Sequence, residues 1–199
     1  MIGWQIALTA IVGVAVTHAA FSKNRLRENL AIIRQYRLRH ILTNLAVGAT
    51  VGGAAYGLTT ASPVFKKNPI LWVISELFHV GSGNGQANLI FSGLNWKWYA
   101  VVFLPVLAVA VPRFARTEEV KYRTGTRNWF DGSLRSLRFG LVHMFMLIPF
   151  GVSLALTIAG LWFTHQYFKG GVERSTIYHA AFNTTIVVVL FVAVFFTGL

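Results

Sequence analysis

Apolar residues gather in long blocks along this chain, separated by short polar stretches. The first block, Ile2 to Phe21, holds 20 residues, about 30 Å of helix, enough to cross a bilayer. It has no basic leader and no small-residue cleavage site, so it reads as a retained span rather than a signal peptide. Ile41 to Thr60 is the second block, rich in small residues, and its Gly48 and Gly52 form a GxxxG suited to close helix approach. Residues 61–96 are mixed. Pro69 to Val80 is apolar but short, and Gly81, Gly83, Asn84 and Gly85 break it, which predicts a re-entrant, interfacial or short segment. Trp96 and Trp98 stand where an aromatic belt would place them. Tyr99 to Phe114 is the fourth block, with Pro105 and Pro112 predicting a kink. Phe139 to Phe163, with Pro149 inside it, and Thr176 to Leu199 complete the series.

The polar stretches set an orientation. Lys23, Arg25, Arg27, Arg34, Arg37 and Arg39 face one acid, Glu28, between the first two blocks. Arg113, Arg116, Lys121, Arg123, Arg127, Arg135 and Arg138 follow the fourth block, with Glu118, Glu119 and Asp131. Both stretches belong on the cytoplasmic side by the positive-inside rule. Leu26, Leu30, Ile33 and Leu38 roughly follow a helical stripe, so the first stretch is either a surface-lying helix or a solvated basic loop. The expected architecture is an all-α polytopic transmembrane bundle. It has five full spans plus one short or re-entrant segment, the N-terminus outside, and residues 1–199 in a single integral-membrane domain.

Composition agrees. Of 199 residues, 55% are hydrophobic and only 12% charged, half the share a soluble domain uses, about 25%. The net charge of +12 sits between apolar blocks and suits anionic headgroups rather than nucleic acid, for which no motif is present. The absence of cysteine excludes disulfides, thiolate metal sites and a Cys nucleophile.

Ionisable groups among apolar spans are functional hypotheses by default. His143 lies in the block that starts at Phe139, and His179 precedes Asn183 by one turn on the same helical face. Glu119 and Arg123 stand four apart and can pair on one helix face. Taken singly, a membrane His is a packing hydrogen bonder, and Glu118–Glu119 is a solvated face.

In order, the chain reads Glu118-Glu119-Val-Lys-Tyr-Arg123, Phe139-Gly-Leu-Val-His143 and His179-Ala-Ala-Phe-Asn183. This EExxxR, FxxxH, HxxxN series resembles the type II CAAX prenyl endopeptidase family, which includes bacteriocin self-immunity proteins. The resemblance covers roughly residues 100–190. It departs from the family's usual pattern at Lys121, Tyr122 and Thr124, around the Arg of the first motif. It implies a glutamic-type intramembrane protease in a bacterial inner (plasma) membrane, acting on a lipidated or membrane-embedded peptide. It assigns Glu118 and His143 to water activation, and His179 and Asn183 to oxyanion stabilisation. Glu119 and Arg123 would organise the site.

No resident cofactor is expected. A His₂Glu zinc set of Glu118, His143 and His179 ranks lower, because the tight HExxH spacing is missing. Glu76 and His79 form a single ExxH, half of what a di-iron bundle needs, and read as a local polar pair. The competing function is a catalytically inactive member that packs as a structural or assembly subunit against other membrane protein subunits, surrounded by membrane lipids. A small transporter is a third reading, weakened by the absence of broken-helix repeats. The protease reading expects Glu118, His143, His179 and Asn183 to converge on one cavity.

Overall fold

A computed structural model describes residues 2–70, 96–146 and 148–196. Every regular element among them is helical: α1 (Ile2–Phe21), α2 (Arg25–Ile33), α3 (Leu38–Ala61), α4 (Pro63–Lys66), α5 (Trp96–Arg123), α6 (Trp129–Val142), a 3₁₀ turn (His143–Met146) and α7 (Phe150–Phe196). Two helical stretches are long and apolar enough to cross a membrane, Leu38–Ala61 and Phe150–Ala193. Most of Pro69–Val80, the glycine-rich break and the Glu76/His79 pair lie outside the described residues, as do the side chains of Trp96 and Trp98.

The first block and α1 coincide in extent. The fourth block continues as α5 well past Phe114, to Arg123, with both prolines inside the helix. Glu118, Glu119 and Arg123 therefore ride on the same helix as that apolar block. The reading of Phe139–Phe163 as one span is corrected. Helix α6 ends at Val142, the 3₁₀ turn follows, and α7 starts only at Phe150. Pro149 is the reason: it lacks an N–H, and its ring disfavours helix in the residue before it. Asn68 secures this corner, donating from Nδ2 to the Met144 and Ile148 carbonyls at 2.9 and 2.5 Å. The Phe150 amide donates to Lys67 O at 2.9 Å.

Helices α6 and α7 thus form an antiparallel hairpin. Small residues make its seam, with Gly132, Ser136 and Gly140 facing Thr164, Gly160 and Thr157. A Cβ on Gly140 would lie 2.6 Å from the Ser153 carbonyl oxygen, so only glycine fits this crossing. At the far end of the hairpin, α7 breaks at Gly170–Gly171. Gly171 has φ 68° and ψ −166°, a conformation essentially confined to glycine. The break splits α7 into two arms, residues 150–169 and 172–196. The first arm has 20 residues, about 30 Å of helix, near the thickness of a bilayer core.

The core is shared among these elements. Phe139 of α6, Val51 of α3, and Ala155, Ala159, Phe163 and Phe182 of α7 form one cluster. Helix α5 meets the second arm through Leu104, Val111, Ala115, Ala180 and Val187. It meets α1 through Val16, Ala19, Ala20 and Ala110. The buried alanines let helix backbones approach closely. Helix α2 folds against α5, where Arg113 lies 3.9 Å from Glu28, so the two basic stretches meet at one end of the molecule. Asn29 of α2 is buried and donates to the Ala19 carbonyl at 3.1 Å. Leu26 and Leu30 are exposed.

Candidate functional site

Helix α5 and the second arm of α7 carry the site between them. Near its C-terminal end, α5 turns Glu119 and Arg123 inward, one turn apart, and both are fully buried. The second arm turns Ser175 and His179, also one turn apart, to meet them. The His179 Nδ1–H donates to Glu119 Oε1 at 2.8 Å. The Ser175 hydroxyl donates to Glu119 Oε2, and its oxygen stands 2.9 Å from the Phe163 carbonyl oxygen. Arg123 Nε is 3.6 Å from the same carboxylate oxygen. Glu119 is thus held from three directions, which is how a carboxylate is kept inside an apolar bundle.

The other nitrogen of His179 has a different surrounding. Nε2 lies 3.6 Å from Glu118 Oε2. That oxygen is buried without a hydrogen-bond partner, although 32% of the Glu118 side chain is exposed. Aromatic rings wall the imidazole. Phe163 stacks on it, centroids 4.2 Å apart and planes at 16°, and Phe139 stands edge-on at 5.4 Å. The Arg123 guanidinium lies over the Phe139 ring at 5.3 Å, and none of its nitrogens has a hydrogen-bond partner.

Of the six residues singled out in the sequence, four come together: Glu118, Glu119, Arg123 and His179. His143 caps the C-terminal end of α6, its Nδ1 2.7 Å from the Phe139 carbonyl oxygen. It reaches the cluster only through the Phe139 ring, 4.8 Å away, and makes no hydrogen bond or ion pair with either glutamate. Asn183 is half-buried one turn beyond His179 and makes no hydrogen bond among the described residues. Ser175 and Phe163 carry no role in the sequence reading. Ser175 could have been found there, since it stands four residues before His179 on the same face. Phe163 gives no such signal, because its stacking depends on the turn at Gly170–Gly171.

In comparisons with protein-family models, curated proteins and solved structures, nothing matches this chain. The chemistry of the cluster therefore rests on its own geometry. With Nδ1–H committed to Glu119, Nε2 is an acceptor beside Oε2 of Glu118 when the imidazole is neutral, and a donor facing it when the ring is charged. In the neutral form the two acceptors take both protons of one water, for which the buried Glu118 Oε2 makes room only once its side chain turns aside. Among the described residues no group of three His, Asp or Glu side chains is arranged to hold a metal ion.

Proposed function

We propose that the chain is a multi-pass protein of a bacterial inner membrane and an intramembrane endopeptidase, which hydrolyses a peptide bond of a lipidated or membrane-embedded substrate. The reading of several spans rests on the lengths of α1, α3, α5 and the two arms of α7, with the basic ends on the cytoplasmic side. The catalytic reading rests on one observation: His179 is oriented by Glu119 and faces the unpartnered oxygen of Glu118 across 3.6 Å. An acceptor pair of this kind activates a water, and a carboxylate that orients an imidazole is the general logic of acid–base sites. In this arrangement Glu118 and His179 take the water-activating role that the family resemblance gives to Glu118 and His143. The substrate amide would approach from the exposed side of Glu118.

A second reading has its own support. Glu119, Arg123, Ser175 and His179 are all buried, and a closed hydrogen-bond network of this kind also fixes helix packing in a structural subunit. Helix α3 buries little of its span and leaves a face for lipid or a neighbouring subunit.

The test uses the purified protein in lipid bilayers with farnesylated and unmodified membrane peptides. Wild type should cleave, Glu118→Gln and His179→Gln should each lose about 10²–10⁴ in rate, and chelator should have no effect. If wild type leaves every peptide intact and Glu118→Gln still supports the cellular role, the protease reading is wrong and the structural one stands.

A further inference from the structure

A second charged neighbourhood lies on the opposite side of the second arm, where the start of α3 meets the Gly170–Gly171 break. Arg37, Arg39 and Arg174 are the charged groups within electrostatic reach of the buried His40. Lys169 and Arg174 are those within reach of His165. No acid belongs to either set. None of Arg37, Arg39, Lys169 and Arg174 forms an ion pair among the described residues. Arg174 donates instead to the neutral Gln166 side chain at 3.0 Å and lies over the Tyr178 ring at 5.5 Å. The two acids nearest in sequence do not answer this charge. Glu28 lies 3.9 Å from Arg113, and Glu173 is exposed without an ion pair among the described residues.

Next to this cationic end is a shallow apolar groove of about 640 Å³, open to the outside of the bundle. Ala46, Val47 and Thr50 of α3 form one wall, Ile158 and Leu161 of α7 another, and Trp129 of α6 a third. At its upper end the His165 ring is stacked between Trp129 and Trp162, centroids 6.0 and 5.6 Å away. Tryptophan is at home at the boundary between headgroups and hydrocarbon. From that boundary the groove runs toward Thr50 and Ile158, the direction in which an acyl chain enters a bilayer.

Uncompensated cations at one end and an apolar channel leading from them match an anionic amphiphile. We propose that this groove seats an acyl chain of an anionic phospholipid from the surrounding bilayer, with its phosphate among Arg39, Lys169 and Arg174. The site rests on the bundle lying in a membrane and is independent of hydrolysis.

The experiment reconstitutes a variant in which Trp4, Trp72, Trp96 and Trp98 are replaced by Phe. Trp129 and Trp162 remain as reporters. Their quenching is read against brominated-chain phosphatidylglycerol and brominated-chain phosphatidylcholine. Phosphatidylglycerol should quench at a mole fraction at least about fivefold lower, and Lys169→Ala or Arg39→Ala should each weaken that preference about fivefold, as expected for a cation near an anionic surface. Ala46→Phe, which fills the groove, should remove the preference with every cation in place. Should the tryptophan variant not fold, native mass spectrometry of wild type counts the two lipids it retains. Equal quenching or equal retention overturns the proposal, as does a preference that survives loss of both cations. Displacement by dissolved glycerol phosphate also overturns it, because the anion alone would then suffice. If neither lipid quenches, the membrane placement itself has failed, an outcome distinct from a lack of headgroup preference.

Discussion

Tyr178 and His179 are neighbours in sequence, yet they serve opposite sides of one helix. Successive helical residues point about 100° apart, so His179 faces α5 while Tyr178 faces α3. On the His179 side lie Glu118 and Glu119, with Arg123 as their counter-charge. On the Tyr178 side lie His40 at 4.6 Å ring to ring, Arg174 and the Asn44 amide, with no acid. Each side solves the burial of polar groups differently. The acidic side sets its own charges against one another, His179 donating to Glu119 with Arg123 beside it, while Glu118 Oε2 and the Arg123 nitrogens keep no hydrogen-bond partner. The other uses neutral hydrogen bonds: Asn44 Nδ2 donates to the Tyr178 carbonyl at 2.9 Å, and Trp162 Nε1–H donates to Asn44 Oδ1 at 3.3 Å. The acidic side meets its buried cation with acids of its own; the other side leaves its cations to an anion from outside.

The contrast is broken most severely by Glu119→Ala. It takes from the buried Arg123 its nearest counter-charge, leaving only the half-exposed Glu118, and loss of one partner of a buried pair costs about 3–5 kcal/mol. Denaturant unfolding of the bilayer- or detergent-embedded protein should show a loss of that size. A loss under 1 kcal/mol would mean that water already reaches Arg123. Asn44→Ala tests the neutral side and should cost about 1–2 kcal/mol in the same measurement, the scale of a lost hydrogen bond that also leaves the Trp162 indole N–H without its acceptor. An Asn44→Ala effect equal to that of Glu119→Ala would erase the distinction between the two sides.

The smallest expected effect sharpens the contrast from outside the bundle. Asp131, in the first turn of α6, has its carboxyl held below the usual range by the hydrogen bond from Arg135, with the Arg127 amide adding to it. Its pKa in the folded state is therefore depressed. The stability it lends is present above about pH 3.9, the unfolded value, and is lost as pH falls through the folded one. A carboxyl-carbon NMR titration should place its midpoint below that of an unfolded Asp. A midpoint at or above it would mean that the pairs do not persist in solution.

Much of the helical layout was legible in the sequence because uninterrupted apolar blocks leave little choice. Ile2–Phe21 became α1, and Ile41–Thr60 lies inside α3. The error fell at Pro149, where apolar composition ran on but the backbone could not. Hydropathy does not register a missing N–H. The GG pair at 170–171 carried a visible turn signal but not its consequence, which is to bring Phe163 of one arm against His179 of the other. The i, i+4 spacings of Glu119/Arg123 and Ser175/His179 were local and readable. The pairing of His179 with Glu119, sixty residues apart, was not, since the resemblance in motif order put both in one site but grouped His179 with Asn183 and Glu119 with Arg123. The same resemblance placed His143 beside Glu118, whereas the turn at the end of α6 leaves it behind the Phe139 ring. Of the cationic end of the α3 groove only Arg37 and Arg39 stood out, as part of a basic stretch, and no shared spacing ties them to Lys169 and Arg174 around the Gly170–Gly171 break.

The bond from Asn44 to Tyr178 also sets a timetable. Its partners are separated by 134 residues, which a ribosome adding about 5–20 residues per second needs roughly 7–27 s to cover. Throughout that interval a largely apolar helix carries an amide whose native acceptor does not yet exist. On the proposed membrane placement, the nascent α3 spends that time in a site that offers the amide water or a surrogate carbonyl, and this asparagine marks how long the helix waits before release into lipid.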